Sequence, residues 1–166
     1  MDNKNKNKSK VSVFLRACFK IVKLEKLYDK HEEVMLYLFF GALTTLISIV
    51  TKLAIFFAVP GEPLWENTTG VVISWIFAVT FAFFTNKEYV FENKTETPAE
   101  FRKVFLSFYG ARVATLIMEE LIFIICCDLL GISNKIITFA SQIIILVANY
   151  VLSKLFVFKK KDESNE

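Results

Sequence analysis

Val34-Met-Leu-Tyr-Leu-Phe-Phe-Gly-Ala-Leu-Thr-Thr-Leu-Ile-Ser-Ile-Val-Thr-Lys-Leu-Ala-Ile-Phe-Phe-Ala-Val59 carries a single charge, Lys52. A hydrocarbon core about 30 Å thick takes roughly 20 mostly apolar residues of helix to cross, and this stretch exceeds that. Three further blocks, at about 70–91, 104–127 and 135–158, meet the same requirement. The chain has 166 residues, 54% of them hydrophobic. Outside the four blocks nothing is left to bury a soluble core. The sequence therefore reads as an all-α membrane protein with four transmembrane helices in one domain, spanning 33–160.

The charges orient it. Nine Lys/Arg residues, from Lys4 to Lys30, precede the first block, and the loop at 60–69 has none. Lys87, Lys94, Arg102 and Lys103 cluster around the second loop, Lys135 alone marks the third, and Lys154, Lys159, Lys160 and Lys161 follow at the end. Basic residues mark cytoplasmic loops, so both termini are expected on the cytoplasmic side of the membrane. No cleavable signal peptide is visible at the start. Residues 1–10 read as a disordered basic tail and 161–166 as a second tail. Residues 11–32 read as an amphipathic interfacial helix, with Arg16, Lys20, Lys23, Lys26 and Lys30 on one face. Val11, Phe14, Cys18, Ile21, Val22 and Tyr28 occupy the other. Such a helix suits an anionic lipid surface. Three cysteines, two of them the adjacent Cys126 and Cys127, make no disulfide framework and read as packing residues.

An internal repeat is visible. Asn86-Lys-Glu-Tyr-Val-Phe91 closes the second block and Ser153-Lys-Leu-Phe-Val-Phe158 the fourth. Phe39-Phe-Gly-Ala in the first block is echoed by Phe108-Tyr-Gly-Ala in the third. Two spans per repeat give both halves the same orientation, so the expected arrangement is two parallel two-helix repeats.

An ionisable group inside a span costs roughly 2.5–3.5 kcal/mol on insertion scales and asks for a reason. At about 1.5 Å rise per residue, Lys52 lies at nearly the depth of Glu119 and Glu120. Lys52 can pair with either carboxylate, and the other is then free for proton coupling or for a polar neighbour such as Gln142. These three ionisable residues are the expected gating or proton-coupling group. Nearer the cytoplasmic end, Arg112 approaches the depth of Asn149, Ser153 and Lys154, while Asn86 and Lys87 hold the equivalent place in the first repeat. Gln142, Asn149 and Ser153 share one face of the last helix. Arg112, Lys87, Lys154, Asn86, Asn149, Ser153 and Gln142 are the expected substrate-binding residues. One guanidinium, two ammoniums and two amides suit a phosphate better than a cation. The bland alternative is that Lys87 and Lys154 only anchor the helix ends by snorkelling. No Gly-rich phosphate loop, metal-ligand cluster or His/Ser/Asp arrangement is present, so neither catalysis, a cofactor, a metal nor a nucleic-acid partner is expected.

Three segments resemble the GtrA-like family of small four-span membrane proteins. They are Phe39-Phe-Gly-Ala-Leu-Thr-Thr-Leu-Ile-Ser, Phe84-Thr-Asn-Lys-Glu-Tyr-Val-Phe and Ala148-Asn-Tyr-Val-Leu-Ser-Lys-Leu-Phe-Val-Phe-Lys-Lys. The last is the most specific and is similar to the branch linked to teichoic-acid glycosylation. The resemblance implies a flippase role in cell-wall polysaccharide biosynthesis, moving an undecaprenyl-phosphate-linked sugar across the membrane for an external glycosyltransferase. A polyprenyl phosphate sugar needs what the residues independently suggest, a cationic pocket near the cytoplasmic face. Four helices enclose little space, so a homodimer is expected, as is a complex with a membrane glycosyltransferase. Two alternatives stay open: a non-transporting accessory subunit of that glycosyltransferase, and a small-cation or drug exporter using Glu119 or Glu120.

Overall fold

The computed structural model describes residues 10–21, 25–58 and 68–159. The described residues form helices and no strand. In order these are α1 (Lys10–Ile21), α2 (Glu25–Lys30), α3 (Glu32–Ala58), α4 (Thr68–Thr85), α5 (Pro98–Phe123) and α6 (Asn134–Leu152). The last three continue into wider π-helical turns at Asn86–Val90, Ile124–Leu129 and Ser153–Val157. Three helices among the described residues are long and apolar enough to cross a membrane: Glu32–Ala58, Gly70–Val90 and Asn134–Val157. Their outward surface is apolar, with Phe57 77%, Phe139 76% and Phe156 71% exposed. Water does not tolerate so much contiguous apolar surface, and lipid does. α5 has the length to cross, at 26 residues, but Arg112, Glu119 and Glu120 interrupt its apolar run and keep it out of that set.

The chain divides into two compact units, residues 1–92 and 93–166. In the first, α3 packs along α4. Leu36, Tyr37 and Phe40 are the buried face of α3, and Phe40 stacks on Tyr89 with ring centroids 5.3 Å apart. In the second, α5 packs along α6, and Phe108, fully buried, lies 5.7 Å from the Phe158 ring.

The interfacial segment differs from the single helix expected over 11–32. α2 lies back against α1. Arg16 pairs with Asp29 at 2.8 Å, the Tyr28 hydroxyl donates to Ser12 O at 3.2 Å, and Phe19 and Tyr28 rings lie 5.4 Å apart. Ser12 also donates to the Glu32 carboxylate. In one continuous helix Ser12 and Tyr28 would stand about 24 Å apart at 1.5 Å per residue, too far to bond. The polar pairing and the buried Tyr28 win over the simple amphipathic pattern, and Val13 and Phe14 are left exposed. The expected tails at 1–10 and 161–166 lie outside the described residues apart from Lys10, as do Val22, Lys23 and the first loop from 59 to 67.

Burial raises the Tyr28 phenol above its ordinary value of 10.0, and nearby Glu32 and Asp29 add to this, against the hydrogen bond at Ser12 and the charge of Arg16. A raised folded value favours the neutral phenol. The stabilisation it brings to the α1–α2 pair is complete below pH 10 and is lost as pH rises through the folded value. Protection of the α1 amides, taken relative to the base-catalysed intrinsic exchange rate, is therefore expected to fall in strong alkali. Tyr28→Phe should remove that alkaline step and weaken the pair at neutral pH by about 1 kcal/mol, the worth of one hydrogen bond.

Local chemistry sets the helix ends. Thr97 is extended (φ −122°, ψ 152°) and its hydroxyl accepts from Glu100 N, with Pro98 next in line; the Glu100 carboxylate in turn accepts from Glu96 N at 3.0 Å. This variant of the capping box starts α5 well before the first apolar residue of its span. After the π turn of α5, Gly131 takes a φ of 64°. Its N–H bonds Cys127 O at 3.1 Å and Ile132 N–H bonds Cys126 O at 2.9 Å. A left-handed glycine lets the chain turn at once into α6.

Candidate functional site

Each copy of the repeated motif ends its helix in the same local conformation. Asn86 O accepts from Phe91 N at 2.9 Å, and Ser153 O from Phe158 N at 2.8 Å. These bonds span five residues, the mark of a π-helical turn, a feature frequent at functional positions. In both turns the first residue is buried, Asn86 and Ser153, as are the residues that follow, Val90 with Phe91 and Val157 with Phe158. In the first turn Asn86 Nδ2 donates to Ala82 O at 2.7 Å, a carbonyl that Thr85 Oγ1 also reaches at 3.2 Å. The amide orientation follows, because only the nitrogen can meet a carbonyl oxygen. Asn86 Oδ1 is then a buried acceptor with no hydrogen-bond partner among the described residues. Lys87 beside it is half-buried.

In the second unit a polar ladder runs between α5 and α6. Phe108, Arg112, Thr115 and Glu119 follow each other at spacings of four, three and four, which lays them on one face of α5. The Arg112 guanidinium lies over the Phe108 ring, 4.7 Å from its centroid. Thr115, buried, reaches Arg112 O at 3.0 Å and Asn149 Oδ1 at 2.9 Å. Four residues further along α5 and seven residues back along α6, Gln142 Nε2 donates to Glu119 Oε1 at 2.7 Å. In the π turn that follows α6, Lys154 Nζ donates to the Tyr150 hydroxyl at 3.1 Å and sits 5.4 Å from that ring.

The structure thus brings together Asn149 with the turn of α5 that bears Arg112, and Glu119 with Gln142. Ser153 is buried in the π turn, one turn of helix beyond Asn149. Lys52, on α3, and Glu120, on α5, have no bonded partner among the described residues. Thr115 is the residue that sequence reasoning missed. It is neutral and common inside helices, and its only signal is the regular spacing from Phe108 through Arg112 to Glu119. Phe108 was visible as part of the repeat, yet its place beneath a guanidinium was not.

The electrostatics are those of a donor-rich site. Arg112 faces an aromatic ring rather than a carboxylate, so its charge is stabilised by the ring quadrupole but not neutralised. Among the described residues no carboxylate bonds it. Asn149, with its oxygen engaged by Thr115, keeps Nδ2 for an acceptor. Together these groups can hold an anion whose oxygens accept several hydrogen bonds, and a phosphate is the common example.

Comparison with known proteins agrees with the three quoted segments. A family model described as GtrA/DPMS, transmembrane domain, matches residues 36–158. A protein of Listeria monocytogenes serovar 1/2a, named cell wall teichoic acid glycosylation protein GtcA, is 36% identical over 133 residues, covering 80% of this chain and 89% of its own length. The GtcA protein of Listeria innocua is 37% identical over 131 residues, covering 79% and 88%. A Bacillus subtilis protein, named uncharacterized membrane protein YwcD, is 31% identical over 128 residues, covering 77% and 98%. No solved structure matches the chain.

Proposed function

The chain belongs to the GtrA/DPMS transmembrane-domain family, and on that premise we propose that it serves teichoic-acid glycosylation by carrying an undecaprenyl-phosphate-linked sugar across the cytoplasmic membrane. In this reading α5 is a fourth span, both termini are cytoplasmic, and the two units are parallel repeats. The role is non-catalytic: the chain moves a substrate that a partner membrane glycosyltransferase consumes on the outer side. The GtcA relatives, named for cell wall teichoic acid glycosylation, support this reading.

The observation that carries the mechanism is the ladder of Arg112, Thr115 and Asn149. Holding a guanidinium in a span without a carboxylate is expensive unless an anion visits it. A lipid phosphate meets that need while its polyprenyl chain stays in hydrocarbon. Arg112 and Asn149 Nδ2 hold the phosphate oxygens, and Lys154 draws the anion toward the inner end of the second unit. In the first unit Lys87 offers a like charge at the equivalent place of the repeat, and the carbonyl of Asn86, an acceptor only, suits a sugar hydroxyl rather than a phosphate. Ser153 shapes the turn that presents Lys154. Glu119 with Gln142 forms the polar step further along the path, where passage is gated or coupled to protons.

Reconstitution tests this. Purified protein is placed in liposomes containing a labelled polyprenyl-phosphate sugar, and inner-to-outer transfer is followed with and without a proton gradient. Wild type is expected to accelerate transfer, and Lys154→Gln to slow it several-fold while assembling normally. Folded wild-type protein that transfers nothing under either condition would sink the carrier reading and leave an accessory subunit of the glycosyltransferase.

A further inference from the structure

α5 carries two stripes. The inner one, Phe108 to Glu119, is engaged with α6 and its π turn. On the opposite face, Leu106, Gly110, Val113, Ile117, Glu120 and Ile124 follow one another at alternating spacings of four and three, and all six are exposed. An average spacing of 3.5 residues is the repeat of a helix that lies along another helix. Apart from its own stretch of helix, no atom lies within 4 Å of where a side chain on Gly110 would begin, so a neighbouring backbone has room to approach there.

Hydrocarbon covers Leu, Val and Ile as well as protein does, so the apolar members of this stripe need no partner. Glu120 does. Lipid tails offer its carboxyl no hydrogen bond, and the described residues give it none. Whatever covers the stripe must bring a polar group to that depth.

We propose that the outer stripe of α5 is the contact between two copies of this chain, with the two Glu120 side chains hydrogen-bonded to each other across the seam. Copies of one chain enter the membrane in the same orientation, so a closed pair has its two-fold axis along the membrane normal. Each residue on the seam then meets its own counterpart at the same depth. Gly110 meets Gly110 where the backbones come closest, Val113, Ile117 and Ile124 interlock, and a carboxylic acid donates its proton to the facing carboxyl oxygen. A second copy supplies the required group without any further protein. The 3.5-residue spacing implies a shallow left-handed crossing of about 20°. The inference rests on α5 being a span, which two-sided thiol labelling of Leu106→Cys and Ile124→Cys tests separately.

The test is site-directed cross-linking of the full chain in membranes, with Cys18, Cys126 and Cys127 replaced by alanine. Ile117→Cys and Ile124→Cys are expected to form oxidised dimers several-fold more readily than Leu116→Cys and Leu121→Cys. The latter two are also exposed but lie off the seam. Adding Glu120→Gln to Ile117→Cys should preserve the cross-link, since an amide also pairs with itself. Adding Glu120→Lys should cut it at least tenfold, and co-expression with a chain retaining Glu120 should restore a mixed dimer. Equal or absent cross-linking at all four positions overturns the proposal. Rescue of Glu120→Lys by Lys52→Glu in the same chain overturns it too, because the carboxyl would then be used within one copy.

Discussion

Arg112→Gln is expected to reduce lipid-linked sugar transfer by about 10- to 100-fold, the equivalent of the roughly 1.5–3 kcal/mol that hydrogen bonds to a charged group contribute. The loss should be a loss of function and not of fold. Glutamine is shorter and neutral, and the guanidinium it replaces is held by an aromatic face at 4.7 Å and, among the described residues, by no ion pair. Arg112→Lys should recover part of the activity at most, because an ammonium restores charge but not the planar fork that grips two phosphate oxygens. In cells the matching readout is the sugar content of purified wall polymer. If Arg112→Gln transfers at the wild-type rate in liposomes, the phosphate site lies elsewhere. A result in which both variants fail to assemble would instead mark Arg112 as structural.

The second large effect is structural. Phe108 is fully buried, lies 5.7 Å from the Phe158 ring and carries Arg112 on its face. Phe108→Ala opens a void at the point where α5 meets the π turn of α6. In a membrane the transfer part of the usual cost shrinks, since lipid solvates a phenyl ring well, and the lost packing remains. At about 24 cal/mol per Å3 of cavity, a phenyl-sized hole costs about 2 kcal/mol. Thermal denaturation in detergent should register this as a clear fall in midpoint. Phe108→Leu separates the two roles of the ring. It fills most of the space and should melt near wild type, but it removes the π face beneath Arg112, worth about 0.5–2 kcal/mol. Transfer by Phe108→Leu is therefore expected to drop several-fold in a protein of nearly normal stability. If the leucine variant is active and only the alanine variant is impaired, the ring matters for packing alone.

The positions of the membrane helices were readable from residue order, because length and apolarity are local properties. The stretch 34–59 contains what α3 needs, and α3 runs from Glu32 to Ala58. The repeated hexapeptide was likewise visible, and both copies fold into the same kind of turn. Arg112, Glu119, Asn149 and Gln142 stood out because a polar group in a span is conspicuous. What residue order could not decide was how each helix is rotated about its axis and in what register it meets its neighbour. Thr115 and Asn149 are 34 residues apart and Gln142 and Glu119 are 23 apart, so no local pattern specifies either bond. The same holds for α2 folding back on α1, where Tyr28 and Arg16 find partners that a single amphipathic helix would deny them. Apolar sequence thus determined that these helices lie in a membrane. Packing between helices determined which polar groups are spent on one another and which, such as Asn86 Oδ1, keep no hydrogen-bond partner among the described residues.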